Sequence, residues 1–303
     1  MRFKACLLAV LAVATLSAQT SPISVGADPA PDRAHPATAT EMTVPSHGQK
    51  LFGIFYAAAG AGNHPTVVLL HGFPGYEQNL DLAQAIRRAG WNVLALHYRG
   101  SWGVGGMFSL AHAMEDADAM VAFARSPAAA SKYHIDRDRI VVIGHSMGGY
   151  IAASATAHEP AVRGTVMIGT WDITAPARGA AGLSRQELVR KVETARDRAV
   201  PADFLPLQGI DAHSLALEIV EHRDSWDLIK FAPGIAARPV LLLTADDESD
   251  PGSARLEQAL KNGGNTHVRK IYTVTDHSFS GRRIYLQSLV LNWLAALPSV
   301  PAN

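Results

Sequence analysis

The sequence predicts an α/β fold of three layers, in which a mostly parallel sheet carries helices on both faces. From residue 43 onward, short apolar runs alternate with stretches of helical spacing. Most of the apolar runs are too uniformly apolar to have one face in water. Strands buried on both faces belong to a parallel sheet that helices cover, and alternation with helices predicts βαβ crossovers.

The predicted strands are apolar runs bounded by turn residues. They cover residues 66–70, 93–96, 140–143, 165–168, 240–243 and 268–274. Residues 42–56, with a turn at Ser46-His47-Gly48, predict a hairpin of antiparallel edge strands. Helical spacing predicts helices over 80–89, 114–125, 148–158, 254–261 and 282–297.

One long segment interrupts this alternation. Residues 173–237 are far more than a crossover needs, so they predict a helical cap inserted into a core made of 42–172 and 238–299. Within this segment, Ser184 and Glu187 have the spacing of a capping box before a helix that runs to about Arg198. Residues 213–230 predict one or two further helices. An elongated connection is the alternative interpretation.

The start of the chain has the features of a targeting segment. Basic residues, an apolar run and then small residues predict a secretory signal peptide over 1–18, followed by a proline-rich flexible linker over 19–41. We therefore expect a secreted or periplasmic protein without a stable membrane span in its mature form. An uncleaved anchor is the alternative, although the apolar run is short for a bilayer.

Composition excludes several classes of protein. Apolar residues make up 48% of the chain, and 27 basic residues balance 27 acidic ones, which argues against a disordered chain and against a basic nucleic-acid-binding domain. The single cysteine, Cys6, rules out a disulfide framework and a cysteine-ligated metal site. The 13 histidines show no metal-ligand spacing. We predict no nucleic-acid partner, no metal and no cofactor, and the oligomeric state stays open.

A strand that leads through Gly144-His-Ser146-Met-Gly148 into a helix is the sharpest local signal. A serine on such a tight turn is exposed above the sheet, and the small neighbours leave room for the turn. Ser146 is therefore the candidate nucleophile. A glycine-rich turn that only packs tightly or binds phosphate is the alternative, but the spacing fits neither common phosphate-binding motif.

A serine nucleophile needs a histidine base and an acid that orients it. His277 follows the carboxyl end of the last predicted strand, where the chemistry of parallel sheets gathers, whereas His267 precedes that strand and is expected at the surface.

The acid is expected in the turn after the strand at 240–243. Asp247 is the first choice there, and Asp246 and Glu248 are alternatives because one residue of slip in the turn changes which carboxylate faces the histidine. Asp250 is expected to cap the next helix.

Two backbone N–H groups should stabilise the oxyanion of the tetrahedral intermediate. Met147, directly after the nucleophile, provides one, and Phe73 in the glycine-rich turn after the strand at 66–70 provides the other. A plain turn with a packed phenylalanine is the alternative interpretation of that loop.

The ordered set of His71-Gly-Phe-Pro, the motif around Ser146, the acidic turn at Asp246-Asp247, and Asp276-His277 resembles the α/β-hydrolase superfamily over residues 43–297. This resemblance implies the α/β-hydrolase fold and a serine hydrolase acting on a small-molecule ester or acyl substrate through an acyl-enzyme.

The stretch from His97 to Gly103 is also similar to a turn of the prolyl-oligopeptidase-like branch, which implies a peptidase or amidase. That branch usually has an aromatic residue where this chain has Met147. Arg99 in this stretch either meets substrate or pairs with Glu115 or Asp116. A catalytically silent binding protein of the same fold is the alternative from another functional class.

Overall fold

The computed structural model describes residues 23–180, 182–197, 205–247 and 249–298 of the chain. The predicted signal peptide at 1–18, the start of the predicted linker, Arg198 and Glu248 lie outside the described residues.

In the described residues, eight strands form one sheet in the order β1-β2-β4-β3-β5-β6-β7-β8. The strands are β1 (Thr38–Ser46), β2 (Gln49–Ala57), β3 (His64–Leu70), β4 (Asn92–Leu96), β5 (Ile135–His145), β6 (Thr165–Ile168), β7 (Val240–Thr244) and β8 (Val268–Tyr272). β1 pairs with β2, and β2 with β4, in antiparallel fashion, while the pairs from β4 through β8 are parallel. The carboxyl ends of the parallel strands therefore meet at one edge of the sheet.

The helices are α1 (Ile23–Gly26), α2 (Leu80–Arg88), α3 (Leu110–Arg125), α4 (Pro127–Tyr133), α5 (Met147–His158), α6 (Arg185–Asp197), α7 (Ala212–Glu221), α8 (Ala232–Ile235), α9 (Ser249–Asn262) and α10 (Arg283–Ala295). Short 3-10 turns cover Ala175–Ala177, Leu228–Phe231 and Ser280–Arg282.

Alternate residues of each buried strand point to opposite faces of the sheet, and so produce two apolar cores. Val68 and Val142 pack with residues of α3, α5 and α9 on one face. Val67 and Val141 pack with residues of α2 and α10 on the other face. Helices on both faces of a mostly parallel sheet confirm the predicted three-layer α/β fold.

Several predicted boundaries are wrong, and local contacts explain most of them. The predicted linker includes residues 38–41, but these already pair in β1 with residues 54–57 of β2. The helix predicted from 114 begins at Leu110 because the Ser109 side chain accepts a hydrogen bond from the His112 N–H and caps it. Helix α4 was not predicted; Ser126 caps it and Pro127 occupies its first turn.

The segment 173–237, here named the cap segment, contains α6, α7 and α8. The predicted capping box is present before α6, where the Ser184 N–H donates to the Glu187 carboxylate and the Glu187 N–H donates to the Ser184 hydroxyl. Hydrogen bonds join the cap segment to the rest of the chain. The Phe108 N–H donates to the Gln208 carbonyl at 2.8 Å, and the Glu218 carboxylate accepts from the N–H groups of Leu110 and Ala111 at 3.0 Å. A carboxylate at the N-terminus of α3 satisfies N–H groups that have no partner within the helix.

Among the helices in these described ranges, none has the length and apolar character needed to cross a lipid bilayer.

Candidate active site

Ser146 lies on the sharp turn between β5 and α5. Its φ of 56° and ψ of −119° place a non-glycine residue in a sparsely populated backbone region. Every residue from Ile140 to Thr156 is buried except Ser146, which is partly exposed. The turn therefore presents one hydroxyl to the carboxyl edge of the sheet, as the sequence predicts for a nucleophile.

The neighbouring glycines make this turn possible because no side chain would fit. A Cβ at Gly144 would overlap the Gly148 carbonyl, and a Cβ at Gly148 would overlap the carbonyl of Leu70 at the end of β3. Gly72, in the loop after β3, packs against Ser146, since a Cβ there would lie 2.9 Å from the Ser146 Cβ. The motif glycines thus bring the end of β3 and the start of α5 into direct contact.

His277 and Asp247 come together at the same edge. The His277 Nδ1 lies 2.5 Å from the Asp247 Oδ2, and the other carboxylate oxygen of Asp247 accepts hydrogen bonds from the Ser249 N–H at 2.8 Å and the Ser249 hydroxyl at 2.5 Å. Ser249 was not singled out in the sequence; an aspartate followed two residues later by serine is the local signal for this turn.

Hydrogen bonding decides the charge of this acid. Burial alone would raise the pKa of Asp247, but hydrogen bonds from His277 and Ser249 to the carboxylate outweigh it and lower the pKa to about 2. Asp247 is therefore ionised at neutral pH and can accept a hydrogen bond from the His277 Nδ1.

The other acidic candidates face elsewhere. The Asp246 Oδ1 accepts a hydrogen bond from the Tyr272 hydroxyl at 3.2 Å. Asp250 is not the cap that was expected before α9, because it lies inside the first turn and accepts from Thr244 Oγ1 at 2.8 Å and Lys270 Nζ at 2.5 Å. Glu248 lies outside the described residues.

The end of β6 connects Ser146 and His277. The Ser146 N–H donates to the Ile168 carbonyl at 2.8 Å, and the His277 ring packs on Gly169, where a Cβ would lie 3.4 Å from its Cε1. His267, by contrast, is exposed at the amino end of β8. The structure thus brings Ser146, His277 and Asp247 to one edge and leaves His267 away from it.

The loop at 71–75, predicted to hold the oxyanion donor Phe73, is held by the segment at 97–103. The Tyr98 hydroxyl donates to the His71 carbonyl at 3.0 Å, and Trp102 Nε1 donates to the Pro74 carbonyl at 2.9 Å. Met147, the other predicted donor, is the first residue of α5, where N–H groups have no partner within the helix.

Arg99 serves a structural role. Its Nε donates to the Asp116 carboxylate at 2.7 Å, and its Nη2 reaches Glu115 at 2.5 Å and the His112 carbonyl at 3.0 Å. The residue is buried, as is Asp116. The structural interpretation of Arg99 therefore fits, and its contacts leave no support for a role in binding substrate.

His145 is a residue that the sequence reasoning missed. It is the last residue of β5, it is buried, and its Nε2 lies 3.0 Å from the His277 carbonyl oxygen. Burial, together with the nearby His277, lowers the pKa of His145 to about 4. No local pattern could reveal a contact between residues 132 positions apart.

In the described part of the chain, no group of three or more His, Cys, Asp or Glu side chains is arranged to hold a metal ion.

Comparisons with known proteins agree with this fold. A family model described as the alpha/beta hydrolase family matches residues 67–280. No match was found among curated proteins.

Solved structures resemble the chain at low sequence identity. The Pyrococcus furiosus esterase Pf2001 is 17% identical with a TM-score of 0.61, and the alignment covers 87% of this chain and 92% of the esterase. EstE1, a thermostable carboxylesterase from a metagenomic library, is 17% identical with a TM-score of 0.61, covering 88% and 91%. The Pyrococcus horikoshii acylaminoacyl peptidase is 18% identical with a TM-score of 0.62, covering 88% of this chain and 43% of the peptidase.

Proposed function

The chain belongs to the alpha/beta hydrolase family, and from that premise we propose that it is a serine hydrolase that cleaves carboxylic esters through an acyl-enzyme. Ser146 is the proposed nucleophile, His277 the general base and Asp247 the residue that orients it. The N–H groups of Met147 and Phe73 are the proposed oxyanion donors. No cofactor takes part in this mechanism.

The observation that carries the proposal is that Ser146 lies at the same edge of the sheet as the hydrogen-bonded pair of His277 and Asp247. Ser146 is partly exposed in a sequence stretch that is otherwise buried, on a turn whose conformation is strained. His277 is held by Asp247 through Nδ1, which leaves its Nε2 for the serine hydroxyl. A turn that only needed to pack would not require a partly exposed serine at this edge.

Each group has one chemical task in the proposed reaction. The Ser146 oxygen attacks the ester carbonyl carbon while His277 takes the hydroxyl proton, and the carbonyl oxygen becomes an oxyanion between the two backbone N–H groups. The carbon–oxygen bond to the leaving alcohol then breaks as His277 returns the proton to that alcohol. Water repeats the sequence on the acyl-enzyme and releases the acid.

Aromatic side chains near the nucleophile support an apolar acyl group. Phe73 and Trp171 are partly exposed, and their ring centroids lie 6.3 Å apart. The backbone N–H of Trp171 donates to the Ser146 carbonyl at 3.1 Å. We place the substrate between these rings and the cap segment at 173–237, with 42–172 and 238–299 as the hydrolase core. The similar esterases support an ester as substrate.

An amide or peptide bond is the second candidate, favoured by the similar acylaminoacyl peptidase. It uses the same residues, and differs in that His277 must protonate a poorer leaving group, an amine. We also propose that residues 1–18 direct secretion or export to the periplasm, which intact-mass analysis of the secreted chain tests by the loss of this segment.

The deciding experiment is intact-mass analysis after exposure to a fluorophosphonate, with Ser146→Ala as the matched variant. Hydrolysis of a short-chain nitrophenyl ester and of the corresponding nitroanilide is measured on both proteins. We expect one adduct and ester turnover in the wild type and neither in the variant. A wild type that forms no adduct would contradict the proposal in favour of a binding protein, and faster nitroanilide cleavage would move the substrate to amides.

A further inference from the structure

We propose that His145 is a positioning residue that fixes the backbone of His277 relative to Ser146 through a hydrogen bond from its Nε2–H to the His277 carbonyl. This inference rests on the proposed function, because it assigns a role within the same site. His145 is peptide-bonded to Ser146, and its Nε2 lies 3.0 Å from the His277 oxygen. The residue next to the nucleophile thus holds the main chain of the base.

His277 needs such a restraint because its loop is exposed. Almost half of its side-chain surface is accessible, and the residues from Thr275 to Ser278 are partly or fully exposed. The hydrogen bond to Asp247 fixes the ring at Nδ1, and the Thr275 and Asp276 carbonyls accept backbone hydrogen bonds at 3.0 Å from Asp246 and Phe279. The contact from His145 differs from these because it is made to the His277 peptide itself. Arg283 and buried Phe279 hold the later part of the loop, where Arg283 Nη1 donates to the Ser278 carbonyl at 2.7 Å.

The surroundings of His145 determine that it acts as a neutral donor. Its Nε2 faces a carbonyl oxygen, so Nε2 carries the proton. Its buried Nδ1 has no hydrogen-bond partner in the described residues, and a Cβ at Gly72 would lie 3.5 Å from it. A proton on Nδ1 would be a buried N–H without an acceptor, which is costly, whereas a bare lone pair at that position costs less.

The charges around His145 also favour the neutral form. Its ring centroid lies 4.8 Å from that of His277. The charges of His277 and Arg283 disfavour a protonated His145, whereas the charge of Asp247 favours it. His145 therefore stays neutral when His277 accepts the serine proton, and keeps its hydrogen bond through the reaction cycle.

A matched set of variants separates the hydrogen bond from simple packing. His145→Phe keeps an aromatic ring against His277 but removes the donor, and His145→Gln keeps an N–H at the equivalent distance from the backbone but removes the ring. His145→Leu is the smaller variant without a donor, for use if phenylalanine prevents folding. His267→Phe is the control, because His267 is exposed at the other end of β8.

The readouts are the second-order rate of fluorophosphonate labelling, kcat and KM for a nitrophenyl ester, and the melting temperature. A displacement of about 1 Å in a reacting group can cost on the order of 100-fold. We therefore expect His145→Phe and His145→Leu to lower kcat and the labelling rate by about 10- to 100-fold with little change in KM. His145→Gln should recover most of both rates, and His267→Phe should match the wild type.

Proton NMR provides a readout that does not need turnover. In the wild type we expect a low-field resonance from the His277 Nδ1–H bonded to Asp247, and we expect Ser146→Ala to retain it. His145→Phe and His145→Leu should broaden or lose this signal because the His277 loop moves and the proton exchanges with water, and His145→Gln should retain it.

The proposal is overturned if the folded Phe or Leu variant labels at the wild-type rate, or if the Gln variant is as slow as these while melting normally. The two proposals can fail separately. If the wild type forms no adduct, the hydrolase function is contradicted. The positioning role still stands in that case if the wild type shows the NMR signal and the Phe or Leu variant loses it. An unchanged signal in those folded variants would contradict the positioning role whatever the activity.

Discussion

The Nδ1 atom of His277 lies 2.5 Å from the Oδ2 atom of Asp247. In this geometry the carboxylate favours the imidazole tautomer that carries its proton on Nδ1, and the proposed mechanism uses the free Nε2 to accept the serine proton. We expect Asp247→Asn to lower kcat by roughly 10⁴-fold, because an amide can donate to Nδ1 and so favour the wrong tautomer.

Asp246→Asn is the matched control for this prediction, since its carboxylate contacts Tyr272. It should retain most of the ester turnover, and both variants should be measured with saturating substrate and compared with their thermal melts. Equal losses in the two variants would contradict the assignment of Asp247 as the orienting acid.

Gly72→Ala should impair the reaction more than it impairs folding. The added methyl would lie 2.9 Å from the Ser146 Cβ and 3.2 Å from the His145 carbonyl oxygen, so the loop that carries Phe73 must move away from the nucleophile. We expect a loss in kcat of about 10- to 100-fold, as for a displacement of about 1 Å.

Gly281→Ala is the control for this substitution, because a Cβ there meets no heavy atom within 4 Å and the backbone φ is not positive. Its kcat should match that of the wild type. Unchanged turnover in Gly72→Ala would show that the loop tolerates the shift, and would remove Phe73 from the proposed oxyanion site.

Two buried histidines should make the fold sensitive to mild acid. Burial lowers the pKa of His71 to about 3 and that of His145 to about 4. An imidazole in the unfolded chain titrates near 6.5, so as the pH falls below that value the unfolded chain binds protons that the folded chain refuses. The free energy of unfolding should therefore decrease as the pH falls from about 6.5 toward 4, by about 2 kcal/mol per histidine at pH 5.

Urea unfolding at pH 7 and pH 5 measures this loss. In the wild type, the His71 Nδ1 lies 2.8 Å from the Gly72 carbonyl oxygen. His71→Asn keeps a donor near this carbonyl but does not titrate. Its free energy of unfolding should therefore fall less between pH 7 and pH 5 than that of the wild type. His267→Asn, at an exposed position, should lose as much as the wild type. Equal losses in all three proteins would contradict a contribution from His71.

The features of this protein that could be predicted from sequence depend on neighbours along the chain. Ser184 and Glu187 form their capping box over three residues, and Ser146 lies in a motif whose glycines are required by contacts at the turn. The placement of His277 beyond β8 followed from the rule that chemistry gathers at the carboxyl ends of parallel strands.

Contacts that join distant residues could not be predicted in this way. Whether Asp246 or Asp247 faces the histidine depends on one residue of register in the turn after β7, and local charge does not determine that register. The contact between His145 and His277 spans 132 residues, and Arg255 reaches Asp172 across 83. A side chain that acts on a distant backbone carbonyl or ion leaves no periodicity in the sequence.

A network of ion pairs lies at the base of the cap segment. Asp172 follows β6, and Arg178 forms a bidentate contact with it; Arg255 of α9 bonds to Asp227 at 2.9 Å and 3.1 Å and lies 3.4 Å from Asp172. Only 3% of the Asp172 side chain is exposed. The network connects both ends of the cap segment to α9.

If one arginine is removed from this network, the buried Asp172 carboxylate has fewer opposite charges around it. This lowers the free energy of unfolding even where the intact network contributes little to stability. We expect Arg178→Leu to lower the free energy of unfolding by on the order of 2 kcal/mol, less than for an isolated buried pair because Arg255 still reaches Asp172. Arg223→Leu is the control, since Arg223 pairs with exposed Asp224 at 3.5 Å and such surface pairs contribute little. Urea unfolding of the two variants at neutral pH checks this difference, and equal stabilities would mean that the cap segment is held by its apolar contacts and backbone hydrogen bonds alone.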